Sequence, residues 1–204
     1  MRTSVAAVIA LVRHGQSTTN AEGLLVGRSD PHLTELGARQ ARALAPWLKD
    51  VKEVWVSPLA RAHETAMLAM PGRAVIVKES FIELDYGTLE GRSAATMAGG
   101  EWRELEHEHE SRFGGGESLA AVDERVRAEL EFLFANESSL LHSTSEHLAI
   151  VSHVSPIKSA VAWALGVPGS IAWRMRLENG SLTMVGSRGH TPQLIRFNVV
   201  PALI

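Results

Sequence analysis

Apolar positions along the chain fall into two alternating patterns. Val5 to Val12, Val54 to Ser57, Ala74 to Val77 and His147 to Ser152 are short runs rich in β-branched residues, as in strands covered on both faces. Between them the spacing becomes helical. Thr34 caps a predicted helix running to Trp47 and Leu48, with Leu36, Gln40, Leu44 and Trp47 spaced along it. Pro58 suits the start of a second helix, Leu59 to Met70, which Pro71-Gly72 stops. Ser118 opens a third, with Leu119, Val122, Val126, Leu130 and Leu133 at core spacing, and Ser155-Pro156 starts a fourth toward Leu165. Ile171–Leu177, Leu182–Val185 and Leu194–Phe197 read as late strands, the first two joined as a hairpin through Asn179-Gly180. Strands alternating with helices make an α/β domain. No repeat, linker or low-complexity tract divides it. The expectation is one domain over residues 1–204, with a lid-like excursion at about 92–116 that holds the charged stretch Glu101 to Arg112 and ends at Gly114-Gly115-Gly116.

Composition narrows the chemistry. The 204 residues carry 20 Lys+Arg against 23 Asp+Glu, a net charge of −3, which provides no field for gripping nucleic acid or an acidic membrane. Val5 to Val12 is too short to span a bilayer and no cleavage pattern follows it, so a cytoplasmic location is expected. There is no cysteine, which excludes disulfides, thiolate nucleophiles and metal sites built on Cys. Nine histidines remain. Trp47, Trp55, Trp163 and Trp173 read as core or near-core, Trp102 less so.

Four segments bring reactive side chains to the carboxyl ends of predicted strands, where open α/β sheets bind ligands. Leu11-Val12-Arg13-His14-Gly15-Gln16-Ser17 delivers Arg13 and His14. Val56-Ser57-Pro58-Leu59-Ala60-Arg61 puts Arg61 in the first turn of a helix, able to share an anion with backbone amides. Phe81-Ile82-Glu83-Leu84-Asp85 offers carboxylates, Glu83 being nearest the strand end. Ile150-Val151-Ser152-His153 places His153 as His14 is placed. His32, His142, His147 and His190 show no partner in sequence, and His63 rides on the helix that bears Arg61. His107 and His109 alternate in a way that does not share a helical face, which argues against a designed metal site. Lys158 reads equally as a solvated helix lysine or as an extra contact to phosphate or carboxylate.

Together these segments resemble the histidine phosphatase superfamily, the group that also holds the cofactor-dependent phosphoglycerate mutases. Gly27-Arg28-Ser29-Asp30-Pro31-His32-Leu33-Thr34-Glu35-Leu36-Gly37, Gly116-Glu117-Ser118 and Arg196-Phe197-Asn198 fit the same pattern, so the likeness covers nearly the whole chain. The resemblance implies a three-layer α/β/α sandwich on a mostly parallel central sheet. It implies that His14 attacks phosphorus to form a phosphohistidine, that Arg13, Arg61 and His153 surround the phosphoryl oxygens, and that Glu83 is general acid and base. It further implies that Ser17, Asn20, Gly27 and Val154 contact substrate. No cofactor or metal is implied, since two guanidiniums supply the positive charge.

Three functions compete on this basis: a phosphatase for small phosphate monoesters, a cofactor-dependent phosphoglycerate mutase, and a non-catalytic phosphate-binding relative. All five core residues are present, against the inert reading. Glu117 follows Glu83 by only 34 positions, and between Ser93 and Gly116 the only basic residues are Arg103 and Arg112, against the mutase. A phosphatase is expected, acting on a small phosphate ester without nucleic acid or membrane partners. A homodimer is a possible assembly, with Ser181–Gly186 as an edge for pairing.

Overall fold

The computed structural model describes residues 8–93, 95–97, 109–135, 147–188 and 191–203. Among them, one sheet is built of β1 (Val8–Arg13), β2 (Val51–Val56), β3 (Val75–Val77), β4 (His147–Ser152), β5 (Leu182–Arg188) and β6 (Thr191–Val199), in the order β3-β2-β4-β1-β5-β6. The first four strands run parallel and the last two antiparallel. Helices α1 (Thr18–Ala21), α2 (Glu35–Ala43), α3 (Ala60–Ala69), α4 (Leu119–Ala135) and α5 (Val154–Leu165) complete the fold.

Strand alternation divides the core between two faces. Ile9, Leu11, Trp55, Leu148 and Ile150 point to one side, where Val122, Val126, Leu130 and Leu133 of α4 and Ile157, Ala160 and Ala164 of α5 cover them. Ala10, Val12, Val54, Val56, Ala149 and Val151 point to the other, under Ala62, Ala66 and Ala69 of α3 and Leu44 behind α2. This is a three-layer α/β/α sandwich on a mostly parallel sheet. Removing one buried anchor such as Leu130 to Ala would cost about 2–5 kcal/mol.

Several local expectations change. The first long helix ends at Ala43, because Pro46 cannot donate to the preceding turn; Ala45–Trp47 continues as a 3₁₀ turn. Trp47 is 44% exposed rather than core, with the Arg196 guanidinium 5.9 Å from its ring. Gly169–Arg174 is 3₁₀ helix where a strand was expected. There Trp173 stacks on Phe113 at 6.3 Å, and this packing overrides the β propensity of the segment. Asn179-Gly180 is consequently no hairpin turn: Gly180, at φ 65°, donates to the His14 carbonyl at 3.0 Å and leads the chain into β5. Nor is Ser181–Gly186 an edge, since β5 lies between β1 and β6. Of the expected excursion at 92–116, residues 94 and 98–108 lie outside the described residues, and so do His107, His142, His190 and Trp102. No described helix is long and apolar enough to cross a membrane.

Candidate active site

Strand register brings the two histidines together. β1 and β4 are parallel neighbours with Arg13 opposite Ser152, so the next residue of each strand, His14 and His153, emerges at adjacent positions on the same sheet end. Their ring centroids are 5.0 Å apart. β2 lies on the other side of β4 with Val56 opposite Val151, and its next residue, Ser57, reaches the His153 ring. The Ser57 hydroxyl lies 2.6 Å from His153 Nε2, while the buried Nδ1 has no hydrogen-bond partner among the described residues.

The imidazole of His14 is buried, and its Nδ1 is 2.7 Å from the Gly15 carbonyl. A carbonyl only accepts, so Nδ1 carries the proton and Nε2 keeps its lone pair. Burial, and then the charges of Arg61 and Arg13, hold the His14 pKa well below its ordinary value, so the ring is neutral at pH 7. His153 is shifted the same way, by burial first and then by Arg61. The loop bearing His14 is locked from behind. Gly15 N–H donates to Thr65 Oγ1 at 3.0 Å, and that hydroxyl donates to the Arg61 carbonyl at 2.7 Å. A side chain at Gly15 would meet the Gly37 carbonyl at 2.3 Å, so the close approach of this loop to α2 requires glycine.

Arg61 is wholly buried. Its Nη1 donates to the Ser29 carbonyl and its Nη2 to the Gly27 carbonyl, both at 2.7 Å, and its Nε faces His14 Nε2 at 3.3 Å. The loop holding it is itself clamped, because Glu90 Oε1 accepts the N–H groups of Gly27 and Ser29 at 2.9 and 2.7 Å. A buried guanidinium without a bonded carboxylate is costly, and such a site is completed by an anion. Arg13 donates to the Leu177 carbonyl, and its buried Nε has no hydrogen-bond partner among the described residues. Burial lowers its pKa to about 10, opposed chiefly by Glu83, so it stays charged at neutral pH.

Glu83 occupies the amino-terminal end of α5. Its Oε2 accepts from Val154 N–H at 3.0 Å, and its Oε1 accepts from Ser155 N–H at 3.1 Å and Leu84 N–H at 2.8 Å. Helix amides fix the carboxylate in place. Behind it, Arg125 ties Glu117 at 2.9 Å to the Ser80 carbonyl at 2.6 Å, bracing the segment that leads into Glu83.

The structure therefore gathers Arg13, His14, Arg61, Glu83 and His153 at one end of the sheet. The four remaining predicted contacts are engaged by the protein. The Ser17 hydroxyl caps the short helix α1 and bonds Asn20, whose Oδ1 also accepts from Asn179 at 3.2 Å. Gly27 holds Arg61 through its carbonyl, and Val154 holds Glu83 through its amide. Ser57, Thr65, Glu90 and Arg125 were missed in sequence. Thr65 had one usable signal: it stands four residues after Arg61, on the same helical face. His32, thought partnerless, pairs with Glu64, which raises its pKa; His109 pairs with Asp123 at 2.8 Å. Among the described residues, no group of three His, Asp or Glu side chains is placed to hold a metal ion.

Comparison with known proteins identifies the family. The family model for the histidine phosphatase superfamily, branch 1, matches residues 9–200. Phosphoserine phosphatase 1 of Hydrogenobacter thermophilus is 31% identical, over 94% of this chain and 92% of its own. A protein named "Probable phosphoglycerate mutase" from Cronobacter sakazakii is 35% identical, over 87% of this chain and 83% of its own. Among solved structures, a mycobacterial glucosyl-3-phosphoglycerate phosphatase in complex with VO3 superposes with a TM-score of 0.85 at 26% identity, covering 95% of this chain and 100% of that one. The chain belongs to the histidine phosphatase superfamily.

Proposed function

We propose that the protein is a phosphatase of small phosphate monoesters that works through a phosphohistidine on His14. The observation that carries this reading is the pairing of a neutral imidazole, proton held at Nδ1 by Gly15, with a buried Arg61 beside the free Nε2. The lone pair of Nε2 attacks phosphorus as the bond to the leaving oxygen breaks, and no helper base is needed. Arg13, Arg61 and the buried Nδ1 of His153 meet the phosphoryl oxygens, supplying fixed positive charge and donors where charge spreads. Glu83 gives the departing alkoxide its proton. Water then attacks phosphorus, Glu83 takes its proton, the P–N bond breaks, and neutral His14 returns.

Two positive side chains already face the phosphate, so the chemistry calls for no divalent cation. The relatives named for phosphoserine, glucosyl-3-phosphoglycerate and phosphoglycerate mutation define the test. Purified protein treated with a chelator is offered phosphoserine, 3-phosphoglycerate and 3-phosphoglycerate with its bisphosphate. Phosphate release that persists in the chelator is expected. Isomerisation faster than hydrolysis would make the protein a mutase instead.

A further inference from the structure

A pocket of about 170 Å³ lies beside Glu83. Leu84, Val154 and Ser155, whose amides hold the Glu83 carboxylate, also line that pocket. The group that receives the Glu83 proton is the leaving group, so a pocket built against the acid is where the leaving group lies. Its lining consequently describes the substrate's organic part.

The wall is mostly aromatic and apolar. Tyr86 meets Phe113 edge-on at 5.6 Å, Phe113 stacks on Trp173 at 6.3 Å, and Leu84 and Leu119 close the floor. Burial and then the Glu83 charge push the Tyr86 phenol far above its ordinary pKa, so it is a neutral hydroxyl. Among the described wall residues only Lys158 is ionised. It stands one helical turn after Val154 on α5, on the face that carries the Glu83 amides. The volume is comparable with the roughly 150 Å³ apolar cavity that accommodates benzene. A sugar or polyol would find the Tyr86 and Ser155 hydroxyls and Lys158 as polar side-chain partners there, and each further hydroxyl left unpaired against the apolar wall costs about 1–3 kcal/mol. A leaving group carrying an ammonium would meet Lys158 with like charge.

We infer that the preferred substrate has a compact apolar leaving group, of aromatic-ring size, ending in a carboxylate that pairs with Lys158. This rests on the phosphatase reading above and narrows it to a substrate class. Lys158, half-buried and partly desolvated, gains a charge-assisted hydrogen bond when such an acid enters.

The test uses three esters of primary alcohols, matched in leaving-group chemistry: 4-carboxybenzyl phosphate, benzyl phosphate and glycerol 1-phosphate. For the wild-type protein, kcat/KM should fall at least about tenfold from the first to the second and again from the second to the third. In Lys158→Met, which keeps an unbranched apolar stem, the ratio of the first two should collapse at least about tenfold, whereas Lys158→Arg should preserve it. Glycerol 1-phosphate turned over as well as benzyl phosphate, or a ratio unmoved by Lys158→Met, would overturn the inference while leaving the phosphatase reading intact. Failure to hydrolyse all three would overturn the inference, and the phosphatase reading falls with it only if phosphoserine and 3-phosphoglycerate also release no phosphate.

Discussion

Arg61 Nε lies 3.3 Å from His14 Nε2, a contact that exists only while that ring nitrogen has no proton. The same Arg61 holds the carbonyls of Gly27 and Ser29 at 2.7 Å, so one buried side chain orients the nucleophile and closes the loop above it. A lysine has one donating centre and cannot reproduce the fork. Arg61→Lys should lower kcat/KM by about 10²–10³, the loss typical of a donor that meets developing charge. Steady-state kinetics check this, and a loss below fivefold would contradict the role.

Glu83→Gln tests proton delivery. The carboxamide keeps the shape but cannot protonate an alkoxide. Turnover of an alkyl phosphate should fall by about 10²–10⁴. Turnover of 4-nitrophenyl phosphate, whose leaving group needs no proton, should fall far less. Equal losses on both substrates would remove Glu83 from proton transfer and leave it a structural partner of Val154 and Ser155.

The two site histidines make stability depend on pH. Both are held neutral well below their ordinary pKa in the fold, whereas in the unfolded chain they titrate near 6.5. Below 6.5 the unfolded state binds more protons, so stability is complete above pH 6.5 and is lost as pH falls toward the folded-state values. Urea midpoints should decrease from pH 7 to pH 5, and His153→Gln should show a shallower decrease. An identical slope in the variant would contradict the buried neutral state of His153.

Close backbone packing sets the nucleophile loop. A methyl at Gly37 would sit 2.1 Å from the Gln16 carbonyl, next to the loop that Gly15 anchors. Gly37→Ala should lose about 1–3 kcal/mol and about 3–10 °C in Tm, with lowered kcat because His14 shifts. Unchanged Tm and kcat would show the loop to be more yielding than its geometry indicates.

The sheet and the site's outline were legible because both follow from local rules. Continuous apolar runs mark buried parallel strands, and whatever follows such a run lands at the ligand-binding end, as Arg13, His14 and His153 do. The register that sets His14 beside His153 is a pairing between β1 and β4, separated by over a hundred residues, and no local pattern encodes it. Second-layer contacts share this origin: Ser57 under His153, Thr65 under Gly15 and Glu90 under the Arg61 loop are ordinary residues until the fold brings them close. The misreadings have the same cause. Ile171–Leu177 has strand-like composition, but Gly169–Arg174 forms a 3₁₀ helix that packs Trp173 onto Phe113, and Trp47 is turned outward to Arg196 once Pro46 has ended the helix.

The central claim is covalent transfer to His14. The protein is mixed with ³²P-labelled monoester, quenched in alkali within milliseconds and digested, and the labelled peptide is sequenced. The account predicts label on the peptide containing His14, stable in base and lost in acid, and absent from His14→Ala along with phosphate release. Label on any other residue, or turnover that survives His14→Ala, would contradict it.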